Sequence, residues 1–96
     1  MTATIQYLDG KDGRIVELGD EPILVGRNAE CVVRVVDDTI TRRHARIYRE
    51  NGHYWITDLN SDNGTYVNGS RLNAPQSLRH RDKIQCGRIR FEYFEK

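Results

Sequence analysis

The chain has 96 residues and a formal charge of +1, from 15 Lys and Arg against 14 Asp and Glu. That length supports one core rather than two, and burial of about 65% of the unfolded surface at this size makes a disulfide or metal staple unnecessary. The near-zero charge gives no global field to recruit nucleic acid or an anionic membrane, and no apolar run approaches the ~20 residues of a spanning helix.

In chain order, residues 5–8 read as a first strand, followed by a turn cluster over Asp9-Gly10-Lys11-Asp12-Gly13. Residues 14–18 carry apolar side chains at Val16 and Leu18 and are broken by Gly19-Asp20-Glu21-Pro22. A short apolar run, 23–25, ends at Gly26-Arg27. Residues 32–36 are β-branched at every apolar position, which predicts a buried strand. The polar stretch 37–43 is expected as a loop. Residues 45–49 and 53–57 flank Asn51-Gly52, the clearest hairpin; a two-residue turn there sets Ile47 opposite Ile56 on one face and Tyr48 opposite Trp55 on the other. Further strands are expected at 65–67, 71–72, 83–86 and 88–93, with 74–77 as a connection and 78–82 as a second, anchored by Leu78. Nowhere do apolar residues recur at helical spacing over the 11–18 residues that a helix needs. About ten short strands joined by Gly, Asn and Asp turns predict an all-β sandwich or barrel, one domain over 1–96. Cys31 and Cys86 lie among strand-like residues, as reduced, buried thiols of a cytoplasmic protein would; a disulfide between them stays open at this point. Met1-Thr2-Ala3-Thr4 lacks the charged segment of a signal peptide.

The stretch 58–69 holds two Asn-Gly pairs, Asn63-Gly64 and Asn68-Gly69, with only Thr65, Tyr66 and Val67 between them. Three residues are too few for a strand with an ordinary hairpin at each end. Asn68-Gly69 is therefore read as the hairpin turn, and Asn63-Gly64 as part of a shaped loop with side chains and backbone donors facing outward. Three loops carry candidate chemistry: Gly26-Arg27-Asn28, Thr41-Arg42-Arg43-His44 and Ser61-Asp62-Asn63-Gly64-Thr65. They follow the third, fourth and sixth expected strands, so strand alternation alone does not bring them to one end; a Greek-key crossing is required. Enzymatic patterns are missing. His44, His53 and His80 with the two cysteines show no zinc-type spacing, and there is neither a phosphate-cradling glycine loop before a helix nor a Gly-x-Ser-x-Gly elbow. No catalyst, metal or cofactor is expected. Arg42, Arg43, Arg46 and Arg49 form a basic cluster that reads as a solvated face, with a nucleic-acid contact as a minor alternative. Tyr48 and Trp55 fit a stacking platform or a cross-strand pair equally well.

Taken together, Gly26-Arg27, Thr41-x-x-His44, Ser61-x-Asn63-Gly64-Thr65 and Val67-Asn68-Gly69 resemble the signature of the forkhead-associated (FHA) domain, and the resemblance spans the chain. It implies an eleven-stranded, mainly antiparallel β-sandwich whose loops meet at one end and bind phosphothreonine in a partner protein, downstream of a Ser/Thr kinase. Under it Arg27 contacts the phosphate, Thr41 donates its hydroxyl where the family usually has Ser, and Arg42 assists from the next position. Asn63 holds the ligand backbone extended. Gly26, His44, Ser61, Gly64 and Thr65 support the loops, His44 by fastening one to another. Asp62 departs from the pattern, since the family often has a neutral hydrogen-bonding residue there. It either faces away or favours ligands with a basic residue. Asp62 also sustains a rival reading, a phosphate-independent assembly module. The expected partner is a phosphothreonine protein, with no nucleic acid or membrane, and a monomer is the default.

Overall fold

The computed structural model describes residues 2–9 and 13–96; the expected turn at 9–13 falls largely on residues 10–12, outside the described residues. Eleven strands follow in order: β1 (Ala3–Tyr7), β2 (Ile15–Leu18), β3 (Ile23–Gly26), β4 (Val33–Arg34), β5 (Ala45–Glu50), β6 (His53–Asp58), β7 (Thr65–Val67), β8 (Ser70–Arg71), β9 (Gln76–Ser77), β10 (Lys83–Cys86) and β11 (Ile89–Glu95). They form two sheets, β2-β1-β11-β10-β7-β8 and β4-β3-β5-β6-β9. Among the described residues every pairing is antiparallel except β3 with β4. This is the sandwich that the strand rhythm predicts.

Local turn chemistry sets the registers. Asn51 and Gly52 both take positive φ, and the hairpin they close aligns Ile47 with Ile56 and Tyr48 with Trp55, as expected. Asn68 and Gly69 do the same between β7 and β8, where Val67 meets Ser70. Alternating positions of both sheets turn inward to one core, which includes Ile5, Val25, Ile47, Ile56, Val67, Phe91 and Tyr93. Leu78 anchors its loop there, 3% exposed. Tyr54 spans the layers: from β6 its hydroxyl reaches the carbonyl of Leu18, at the end of β2 in the opposite sheet, at 3.1 Å.

Two expectations are corrected. The β-branched run 32–36 yields only the two-residue β4, with Val33 fully buried but Val32 50% and Val36 78% exposed. A continuous β-branched run suggests burial on both faces, but β4 is an edge strand that leaves the sheet after two pairings with Val25 and Gly26. The connection 74–77 contains β9, where Gln76 and Ser77 pair with Ile56 and Trp55. It too is an edge, and Pro75 just before it suits that position, since proline cannot donate to a ladder.

Candidate functional site

The parallel pairing of β3 with β4 solves the parity problem. Because β4 runs in the same direction as β3, the chain leaves both strands at one end; β5 returns antiparallel, and β6 runs back up to the same end. The loops after β3, β4 and β6 therefore emerge together. The β10–β11 turn joins them, its Gly87 N–H donating to the Gly64 carbonyl at 3.2 Å.

Backbone contacts lock the first two loops side by side. Arg27 N–H donates to the Thr41 carbonyl at 3.3 Å and Asn28 N–H to the Arg42 carbonyl at 3.1 Å. Gly26 makes this approach possible: a Cβ there would overlap the Arg42 carbonyl. His44 ties in the third loop. It is fully buried, its Nδ1 accepts the Thr41 N–H at 3.1 Å, and its Nε2 lies 2.8 Å from the Gly64 carbonyl. With Nδ1 accepting, Nε2 carries the proton and donates to that carbonyl.

Asp58 knots the third loop from its base. Its carboxylate accepts the Ser61 hydroxyl (2.6 Å), the Ser61 N–H (3.0 Å) and the buried Thr65 hydroxyl (2.7 Å). The Ser61 oxygen in turn accepts the Gly64 N–H at 2.9 Å. Burial pushes the Asp58 carboxyl up, but the hydrogen bonds from Ser61 and Thr65 outweigh it and hold the group below its usual range. Sequence reasoning gave Asp58 no role, although the spacing Asp58-x-x-Ser61 is that of a side chain capping its own loop.

Asp62 N–H donates to Thr41 Oγ1 at 3.0 Å, and the Asn63 side-chain amide donates to the Thr39 carbonyl at 2.9 Å. The structure thus brings Arg27, Thr41, Arg42, Asp62 and Asn63 together at one end. The expectation of outward backbone donors in this loop is corrected at Asp62 and Gly64. The Asp62 and Gly64 N–H groups are used internally, because a loop packed against its neighbours must satisfy its own polar atoms. The side chains of Asp62 and Asn63 remain exposed.

A second unforeseen device braces the Thr41 loop. Asp37 accepts the Thr39 hydroxyl and N–H and pairs with Arg88 at 2.8 Å, while the Arg88 N–H donates to Thr39 Oγ1 at 3.0 Å. These bonds, led by the Thr39 hydroxyl and then Arg88, lower the Asp37 pKa to about 2. Gly87 fits only without a side chain, since its φ is +55° and a Cβ would overlap the Thr39 carbonyl.

Charge is distributed unevenly. Arg43, Arg49, Arg81, Lys83, Arg88 and Arg90 each have a carboxylate partner, whereas among the described residues Arg14, Arg27, Arg34, Arg42, Arg46, Arg71 and Arg79 have none. Arg46 lies over the Tyr48 ring, 4.5 Å from its centroid, as part of the strand face. Both cysteines are buried free thiols, and burial pushes Cys86 up to about 12. No helix among the described residues is long and apolar enough to cross a membrane.

Known proteins share this architecture and sequence. The oxoglutarate dehydrogenase inhibitor of Corynebacterium diphtheriae is 37% identical over 70 residues, covering 73% of this chain and 48% of that protein. The chain spans about half the length of the curated relatives it matches. A chain solved for a structural and functional analysis of phosphothreonine-dependent FHA domain interactions superimposes with a TM-score of 0.92 at 29% identity, covering 100% of this chain and 98% of that one. Mycobacterium tuberculosis EmbR, solved with a low-affinity phosphopeptide, superimposes with a TM-score of 0.89 at 25% identity, covering 97% of this chain and 24% of that one. The FHA domain model itself matches residues 23–87, from the first residue of β3 to the Gly87 turn that closes the loop end. With the two-sheet sandwich, the three converging loops and more than half of its length in agreement, this chain belongs to the FHA domain family.

Proposed function

We propose that the chain is a phosphothreonine-dependent interaction module that takes an extended segment of a partner protein, a Ser/Thr kinase substrate, at the three-loop end. The supporting observation is the state of the Thr41 hydroxyl. Its oxygen already accepts the Asp62 N–H, which leaves its proton for an incoming anion; the Arg27 backbone N–H donates to the carbonyl of the same residue, and the exposed Arg27 side chain has no carboxylate partner among the described residues. A phosphothreonine carries about −1.5 to −2 charge and three strong acceptor oxygens, and a guanidinium meets such oxygens as a fixed fork. Asn63 has its amide donor held by Thr39, which leaves its carbonyl oxygen to accept a ligand backbone N–H. Arg42, exposed at the next position, adds field and a further donor set. Hydrogen bonds to charged groups contribute about 1.5–3 kcal/mol each; three or four, less the cost of association, give a dissociation constant in the micromolar range.

In this reading all 96 residues form one binding domain that acts in the cytoplasm by capturing a partner rather than by catalysis. Phosphopeptide capture with a dephosphorylated control and the Arg27→Ala variant tests it. Capture that needs the phosphate and is lost in Arg27→Ala is expected. Equal capture of both peptides by wild type and variant would reject it.

Asp62 favours a second reading, phosphate-independent assembly. The residue is exposed, its backbone N–H donates to Thr41 Oγ1, and among the described residues its carboxylate has no cationic partner. At ~4 Å from a phosphate and an effective dielectric of ~20 it would oppose binding by about 4 kcal/mol per charge pair, and by far less if turned to water. The phosphate-dependent reading requires Asp62 to face away or to favour ligands with a flanking Lys or Arg. Titrating peptides with and without that residue against wild type and Asp62→Thr decides. A preference for the basic flank that disappears in Asp62→Thr supports the phosphate-dependent reading with Asp62 selecting that flank; equal affinities in all four combinations remove this role of Asp62.

A further inference from the structure

We infer that Arg71 is a specificity-determining residue of the same end, reading an anionic side chain, either a carboxylate or a second phosphate, that flanks the phosphothreonine. This rests on the phosphothreonine reading above. Arg71 ends β8, the edge of the six-stranded sheet, and the Leu72 N–H behind it is held by the Thr65 carbonyl at 2.8 Å. Its guanidinium is laid over Gly64. A Cβ built there would stand 2.8 Å from Nε, 3.0 Å from Cζ and 3.3 Å from Nη2. The missing side chain at Gly64, which also has φ +86°, is what gives the guanidinium its seat.

That seat belongs to the binding loop. The Gly64 carbonyl accepts from His44, whose other nitrogen positions Thr41, and the preceding residue is Asn63. Consecutive Cα atoms are about 3.8 Å apart, and an extended ligand advances about 3.3 Å per residue. A group held at Asn63 is therefore within about three ligand residues of Arg71. Arg71 is exposed and, among the described residues, has no carboxylate partner, in contrast to Arg81, Arg88 and Arg90. One face of the guanidinium rests against the Gly64 position and no carboxylate among the described residues neutralises it, so a ligand meets it already placed over the loop.

The test uses the whole chain and phosphothreonine peptides on an alanine background, carrying a single Asp, phosphoserine or Lys at each position from −3 to +3. Affinities are read by fluorescence anisotropy for wild type, Arg71→Gln and Arg71→Lys, with thermal melting to show that each variant is folded. Wild type is expected to favour Asp or phosphoserine over Lys by about fivefold or more at one or more positions. Arg71→Gln is expected to bring that ratio to within about twofold while binding the all-alanine phosphopeptide as wild type does; Arg71→Lys keeps the sign of the preference. Persistence of the ratio in Arg71→Gln, no anionic preference in a wild type that binds the all-alanine phosphopeptide, or equal weakening of every peptide in Arg71→Gln would overturn the inference alone. A wild type that binds no phosphothreonine peptide overturns the parent reading and this one with it.

Discussion

At the scale of single residues, the site rests on atoms with two tasks. Thr41 accepts the Asp62 N–H through the same hydroxyl that, in the proposed binding mode, donates its proton to the phosphate. Thr41→Ser keeps both tasks and should bind a phosphothreonine peptide within about threefold of wild type, the lost methyl counting for little. Thr41→Val removes both. It should weaken binding about 10- to 100-fold, as expected for a hydrogen bond to a charged group, and isothermal titration measures the difference. His44 is the other such atom set. Its replacement by Ala strands the Thr41 N–H and leaves the Gly64 carbonyl only the Gly87 N–H, so a loss of about 1–3 kcal/mol in urea unfolding is expected. A variant as stable as wild type would show that the loops are held together elsewhere.

At the scale of elements, the loop end is a set of short segments held by close approaches. Gly26 allows β3 to pass against the 41–44 segment, and Gly26→Ala should cost about 1–3 kcal/mol by overpacking against the Arg42 carbonyl. The strut from Asp37 through Thr39 to Arg88 has a pH signature. The folded-state pKa of Asp37 is about 2, below the ordinary value of ~3.9, so its contribution is fully present above about pH 4 and is lost as pH falls towards 2. The melting-temperature gap between wild type and Asp37→Asn should therefore be constant from pH 7 to 5 and narrow between about pH 4 and 2. A gap unchanged at pH 2.5 would mean that the Asp37 charge has no part in the strut.

At the scale of the whole molecule, the match to the family covers 23–87, yet β1, β2 and β11 lie outside it and make half of the six-stranded sheet. β1 sits between β2 and β11, and Ala3, Ile5, Val16 and Leu18 are core residues. Removing residues 1–22 should abolish cooperative unfolding in calorimetry, an outcome that would make the 96 residues one folding unit; a truncated chain that melts as sharply as the full one would contradict that. Within the core, Ile56→Ala should cost about 2–5 kcal/mol and Ile56→Val about 0.5–1.5, because Ile56 is fully buried where β5, β6 and β9 meet.

Much of this protein was written locally. Asn51-Gly52 and Asn68-Gly69 specified their hairpins and registers because a tight turn needs positive φ, and alternation placed Ile47, Ile56 and Val67 inward. The family pattern spread over 26–69 marked Arg27, Thr41 and Asn63 as candidates. Tertiary structure alone decided that their loops share an end, since this follows from β4 running parallel to β3, a pairing that neither turn chemistry nor periodicity reveals. It also decided how far 32–36 stays in the sheet, and it brought Arg88 to Asp37 across 51 positions and Arg71 onto Gly64. A turn or an alternating strand is a property of adjacent residues; which strand edges meet is settled by the core that both sheets must close together.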